Sequence, residues 1–325
     1  NRGGAEKAFI QSVNDSISVQ VNLKYDGQGL PDYYFCHLNM PVCEEGLCRR
    51  MIVDVYWDVL GNFLKYELPP GEALTKMDHV EFTAEDHQKL RSILSNKASI
   101  LRDYPLDDLL DRTRVVKSKV VDAVSAATRV EVKDAIVSGA AYSTYALWHV
   151  VNGPIASRIE EFTKPLISEA LVHKMFRSND FYYQYYALNH VPEGKMKAYV
   201  PEIIDLVNRG VSYIPYFAIE KVPDEAWSVD DYQVALLRNF RSADFELQNA
   251  FIGKIADVKL CSDALNELVG GCAKLTDKQL ERVVEVIARN ADRLSDEAKG
   301  KLAEFCCHGD KKVADVVRGI VKKGC

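Results

Sequence analysis

The sequence predicts an α+β domain over residues 1–153 and an all-α domain over residues 154–325. Three observations support this. Apolar residues alternate with period two only in the first 70 residues. The periodicity is helical throughout after Gly153-Pro154. Helix-start signals then recur about 30 to 34 residues apart, in two interleaved series.

The chain has 325 residues, enough for two domains with their own cores. Hydrophobic residues make up 47% and charged residues 27%, the composition of a globular protein rather than a disordered one. The net charge of −6 argues against nucleic acid as a partner. No run of about 18 apolar residues occurs, so no membrane span is expected. The first residues, Asn1-Arg2-Gly3-Gly4-Ala5-Glu6, are not a signal peptide. The expectation is an extracytoplasmic protein, periplasmic or envelope-associated, from which an export signal has been removed.

In chain order, Ile17, Val19, Val21 and Leu23 alternate with polar residues and predict a half-buried strand over 16–25. Met51, Val53, Val55 and Trp57 repeat the pattern. Gly61-Asn62 turns the chain back through Phe63 to Leu68, which predicts a hairpin. Thr83 and Asp86 resemble a capping box opening a helix to about Asn96, with Leu90, Ile93 and Leu94 buried. A short helix over 106–110 and a strand over 115–121 are expected next. Thr128-x-x-Glu131 is a capping box for a helix to Val137. Gly139 interrupts it, and Ala140 to Val151 forms another. Gly153-Pro154 marks the domain boundary.

Beyond it, Ser178, Ser212, Ser242, Thr276 and Asp310 form one series of starts. Lys195, Ser228, Ser262 and Ser295 form the other. Ser228-x-x-Asp231 and Thr276-x-x-Gln279 have capping chemistry. A period of about 34 made of two short helices is the signature of an α-solenoid. The tetratricopeptide pattern is missing, and the segment resembles a HEAT-like stack. Such repeats present an extended surface to a macromolecule, or only support the domain before them.

The segment Asp122-Ala-Val-Ser125-Ala-Ala127-Thr128 resembles the flavinylation motif of FMN-binding domains. These occur in sodium-pumping quinone reductases and related electron-transport complexes. The resemblance implies FMN joined to Thr128 by a phosphoester bond, with Asp122, Ser125 and Ala127 as the other matching positions. Ala126 stands where the family has Gly, and Val130 where it has a second hydroxyl. Small neighbours give a bulky nucleotide access to the hydroxyl. A helix starting after Thr128 would present free N–H groups to the phosphate. Thr128 also has a purely structural role open to it, as the helix N-cap. The resemblance implies an exported electron-transfer flavoprotein with a protein redox partner docked on the repeats. The rival is a cofactor-free interaction scaffold with a degenerate flavin-like domain.

Cys36, Cys43 and Cys48 lie between two predicted strands. A disulfide between two of them, a metal site of three thiols with His37, a thiol-redox centre, and ordinary buried thiols are all open. Cys261, Cys272, Cys306, Cys307 and Cys325 read as buried small residues. His79 reads as part of a polar turn and His149 as a satisfied core histidine. The run Phe181-Tyr182-Tyr183 with Tyr185-Tyr186 reads as a binding platform or as the seam between domains. Signatures of nucleotide hydrolases, zinc peptidases and serine hydrolases do not occur.

Overall fold

The computed structural model describes residues 4–41, 49–76, 79–105, 133–191 and 193–322. They form two compact units that divide between Ser168 and Glu169. An antiparallel sheet with helices makes the first. Helices alone make the second. The two units are described separately.

The sheet has five strands: β1 Ala5–Asn14, β2 Ile17–Tyr25, β3 Pro31–Met40, β4 Met51–Asp58 and β5 Phe63–Glu67. Their order in the sheet is their order in the chain, and every neighbouring pair is antiparallel. Alternation sends one set of side chains inward: Val21 and Leu23 of β2, Tyr34, Cys36 and Leu38 of β3, and Val53, Val55 and Trp57 of β4. All are fully buried. Cross-strand register sets Tyr34 opposite Trp57 and Cys36 opposite Val55.

The sequence showed β2, β4 and β5 by their period. It did not show β1 or β3. β1 carries no buried residue to mark a face. β3 turns the aromatic Tyr33 and Phe35 outward ahead of His37 and Asn39, so its outer set does not read as a polar face.

Among the described residues, three longer helices belong to this unit: α1 Ala84–Ser95, α2 Ala141–Asn152 and α3 Pro154–Thr163. Thr83 and Asp86 make a complete capping box, with Asp serving where Glu or Gln is usual. Gly139 adopts a φ of +76°, which ends the preceding turn before α2 starts. Polar atoms on large core side chains fix the helices. The Trp57 indole N–H donates to Val151 O at 2.8 Å, and the Tyr34 hydroxyl meets Thr163 Oγ1 at 2.9 Å. Trp148 donates to Asn96 O at 3.0 Å.

The β4–β5 turn is built on Asp58, whose carboxylate accepts from the backbone N–H groups of Leu60 and Asn62. Gly61 has φ +73°, and a Cβ there would lie 2.6 Å from Ala156 O. The turn therefore presses on the start of α3. For this reason α3, on the far side of Gly153-Pro154, belongs to the sheet unit. Gly153-Pro154 is a joint between two helices of that unit, with Pro154 opening α3.

The helical unit contains α4 Glu169–Arg177, α5 Phe181–His190, α6 Val200–Arg209, α7 Ile214–Lys221 and α8 Asp230–Leu237. It continues with α9 Phe245–Ile255, α10 Ser262–Gly271, α11 Asp277–Arg289, α12 Asp296–Ala303 and α13 Lys311–Val321. Alternate helices pack together. The series α4, α6, α8, α10, α12 forms one layer, and α5, α7, α9, α11, α13 forms the other. Ile203, Leu236, Leu268 and Leu302 are buried on first-layer helices, and Ile219, Phe251, Val283 and Val317 on second-layer ones.

Thr276, Ser295 and Asp310 are the N-caps their sequence suggested. Ser178 and Ser242 stand two residues before the true caps, Asp180 and Asp244. Ser262 is the first residue of α10 rather than its cap. Lys195 falls in a 3₁₀ segment, residues 193–199, ahead of α6. Ser228 gives no cap: α8 follows Val229 with no side-chain bond. Ser212 has φ +52° and precedes α7 without capping it.

Buried amides complete what the caps leave. Gln184 Oε1 accepts from Val211 N, Gln233 Oε1 from Cys261 N, and Asn290 Oδ1 from Leu260 N. Gln233 also donates to Trp227 O and Lys259 O. Replacing Gln233 with Leu keeps the volume but strands three backbone groups. Urea unfolding of this variant is expected to show a loss of about 3 kcal/mol.

Candidate functional site

Thr128, Ser125, Asp122 and Ala127 lie outside the described residues, as do Cys43, Cys48 and the predicted elements over 106–121. Residues 133–135 are helical, inside the range expected for the helix after Thr128.

Cys36 and His37 are both described, and they correct one expectation. Adjacent strand residues point to opposite faces. Cys36 is fully buried against Val55, whereas His37 is exposed on the other face, with its Nδ1 2.8 Å from Asp54 Oδ1. One metal ion cannot take both. Cys36 is a free thiol, so a disulfide through it is not present. Burial, with the Asp54 charge adding, pushes its pKa up to about 12. A thiol that stays protonated is a poor redox nucleophile. Among the described residues, no group of three or more His, Cys, Asp or Glu is placed to hold a metal ion.

The other cysteines divide. Cys272 is a buried free thiol, as expected. Cys261 is half-buried and Cys307 exposed. Cys306 is buried and disulfide-bonded, not a simple buried thiol. No described helix is long and apolar enough to cross a membrane.

His79 has φ +62° and donates its backbone N–H to Lys76 O at 3.0 Å, so it closes a turn. His149 Nε2–H donates to Leu101 O at 2.9 Å from a half-buried position on α2. Burial lowers its pKa, against the opposing pull of that carbonyl. His87 on α1 is also lowered, by burial first and then by Arg91. Its Nδ1 and the hydroxyl of the buried Tyr66 share a hydrogen bond of 2.6 Å.

The helical unit supplies the most developed surface. On the outer side of α5, α7 and α9, Tyr182, Tyr185, Tyr213, Phe217 and Phe245 are 38% to 68% exposed. They belong to a connected set. Phe181 stacks on Tyr185 at 5.8 Å, and Tyr185 meets Phe217 edge-on at 5.0 Å. Tyr213 contacts Tyr216, whose hydroxyl bonds to Asp244 beside Phe245. The aromatic run of α5 is thus a surface ladder continued by its neighbours.

Phe245 opens onto a cleft of about 280 Å³ at the starts of α9 and α11. Arg241, Lys274, Ser242, Thr276 and Gln248 share its lining. Arg241 lies in a 3₁₀ turn, residues 240–242, and Lys274 in another, residues 272–274. Each turn immediately precedes a second-layer helix. Gly271 permits this approach, because a Cβ there would meet Phe240 Cδ1 at 2.7 Å. Gln279 ties the two helix starts together by donating to Phe245 O. The cleft holds two positive side chains and two helix N-termini, an arrangement that binds anionic groups. It contains no acid–base pair. Sequence reading missed it. The signal available was that Arg241 and Lys274 occupy equivalent places in successive helix pairs.

Comparison with protein families, curated proteins and solved structures gives no match.

The two lowered histidines set a pH dependence for the sheet unit. In the unfolded chain they take up protons near the ordinary value of 6.5, but the folded unit resists until lower pH. Protons therefore bind preferentially to the unfolded chain. Stability is fully present above the unfolded value and is lost as pH falls below it. Melting followed from about pH 7.5 to about pH 5 should show a falling midpoint. The fall should be smaller in His87→Gln/His149→Gln.

Proposed function

We propose that the helical unit is a HEAT-like solenoid, with a period near 34 residues, that docks another protein. Next-but-one packing supports this reading, since each helix pair then touches only the pairs beside it. First-layer helices begin at Glu169, Val200, Asp230, Ser262 and Asp296, a regular spacing of about 30 to 34 residues. The carrying observation is the aromatic ladder on α5, α7 and α9. Exposed aromatic side chains in one contiguous surface mark protein interfaces rather than solvated faces. A photoreactive amino acid at Tyr182 or Tyr213 is expected to cross-link a discrete partner in the native cell. The same group at Lys299, on the first layer, should not. Equal labelling from both layers would defeat the docking reading.

A second reading concerns the sheet unit. Asp122, Ser125, Ala127 and Thr128 match a flavin attachment motif, and that motif follows an antiparallel sheet and a helix. On this reading the unit carries FMN on Thr128 and passes electrons to a protein held by the helical unit. Bound FMN would supply the electron-carrying chemistry, and the chain would position it. An exported, oxidising setting agrees with the disulfide at Cys306. Co-expression with a flavin transferase in an exporting host should add the mass of FMN less one water. Thr128→Ala should abolish the gain. No gain, with a control flavoprotein modified in the same cells, would leave Thr128 a helix cap.

A further inference from the structure

We infer that the docking surface takes a peptide segment of its partner in which apolar side chains lie beside an acidic residue. The aromatic ladder would receive the apolar side chains, and the Arg241–Lys274 cleft the carboxylate. This rests on the docking reading and adds the chemistry of what is docked.

Three observations carry the inference. First, α7 joins the ladder to the cleft. Contacts run from Tyr185 to Phe217 on α7, and the same helix carries Tyr216, with Tyr213 just ahead of its start. Tyr216 bonds to Asp244, which is followed by Phe245 at the cleft edge. A single extended segment crossing α5, α7 and α9 meets apolar surface and then positive charge.

Second, the cations are available. Neither Arg241 nor Lys274 has an ion-pair partner among the described residues, and both are exposed. Elsewhere on the helical unit most cations are paired, as Lys254 is with Glu220 and Lys312 with Glu281 and Glu285. The acids nearest the cleft are already engaged. Asp244 accepts from Leu247 N and from Tyr216, and Asp277 faces His308. The lining of the cleft itself carries these two cations and no carboxylate, on a chain whose net charge is −6.

Third, the cleft suits a carboxylate better than an apolar group. The hydroxyls of Thr276 and Ser242 already donate to Gln279 Oε1 and Asn239 O, so the two cations are the donors left for a carboxylate. A guanidinium pairs with a carboxylate through two parallel N–H donors, which fixes direction as well as charge. The ladder supplies apolar area and the cleft supplies register. The pair selects a sequence rather than any hydrophobic segment.

Selection of random twelve-residue peptides displayed on phage, with the full chain as bait, tests this directly. Enriched peptides should carry Asp or Glu within a few residues of aromatic or aliphatic side chains. Synthesised and labelled, they should lose affinity about tenfold or more in Arg241→Glu/Lys274→Glu, the loss of one close charge pair or greater. Arg241→Lys/Lys274→Arg should retain most of the binding, and Tyr185→Ala/Phe217→Ala should weaken it. Circular dichroism of each variant separates loss of binding from loss of fold.

Enriched peptides that are basic or uncharged, or that bind the Glu variant undiminished, would overturn the inference and leave the docking reading standing. No enrichment, together with no cross-link from Tyr182 or Tyr213, would overturn both. A dimer of the chain that the same variants dissolve would assign the surface to a second copy and also overturn the inference.

Discussion

Short helices have many ends, and every end leaves backbone groups without partners. The described residues of the helical unit form ten α-helices of eight to thirteen residues, so this constraint governs its architecture. Where Asp, Ser or Thr precedes a helix, the side chain caps it locally. Asp180, Asp244, Thr276, Ser295 and Asp310 do so. The helices α6, α7, α8 and α10 have no such cap. For two of them a buried glutamine on the next-but-one helix takes over. Gln184 of α5 serves the turn before α7, and Gln233 of α8 serves the start of α10. The polar requirement of one helix is thus met by the helix it packs on. Satisfaction of the backbone and stacking of the layer become one event, and an amide with no other outlet fixes the register.

The same arrangement explains why the two layers' surfaces differ along their length. Once the inner faces are buried and the ends satisfied, the outward positions are free of structural duty. Toward α11 and α13 they are filled by ion pairs, Lys312 with Glu281 and Glu285, and Arg318 with Asp315. Toward α5 and α7 they are filled by tyrosine and phenylalanine. Exposed ion pairs contribute little stability, so the contrast is not a stability device. It separates an end faced with paired charges from an end faced with aromatic rings.

Legibility in the sequence followed how directly each residue reported its surroundings. β2 and β4 were readable because an apolar side chain every second residue has one simple cause. β3 was not, since Tyr33, Phe35 and His37 on the outer face obscure Tyr34, Cys36 and Leu38 on the inner one. Helix starts were readable to within about two residues where serine or threonine signalled them. At Ser178 the hydroxyl accepts from Asp180 N, so serine marks the approach and aspartate the cap. The boundary after α3 was hidden, because Gly153-Pro154 is a stronger local signal than the packing of Gly61 on Ala156. At Cys36-His37, proximity in sequence did not bring two ligands together. Cys36 and His37 are neighbours in the chain and strangers in space. The Arg241–Lys274 cleft lacks any motif. It exists only because two turns, each placed before a second-layer helix, are brought together by stacking.

The sheet unit carries a different consequence, in time rather than in space. Its strands pair in chain order, so the meander can form as soon as β5 has been synthesised. Its inner face cannot be closed then. Trp57 waits for Val151, 94 residues later, and Tyr34 for Thr163, 129 residues later. At the usual pace of translation that interval lasts on the order of ten seconds. Throughout it a newborn sheet would show a tryptophan, a tyrosine and a row of valines to its surroundings. The helical pairs face no such wait, since each finds its neighbour within one or two helices of emerging. A cell making this protein has to shelter the first third of the chain, and can leave the rest to assemble as it arrives.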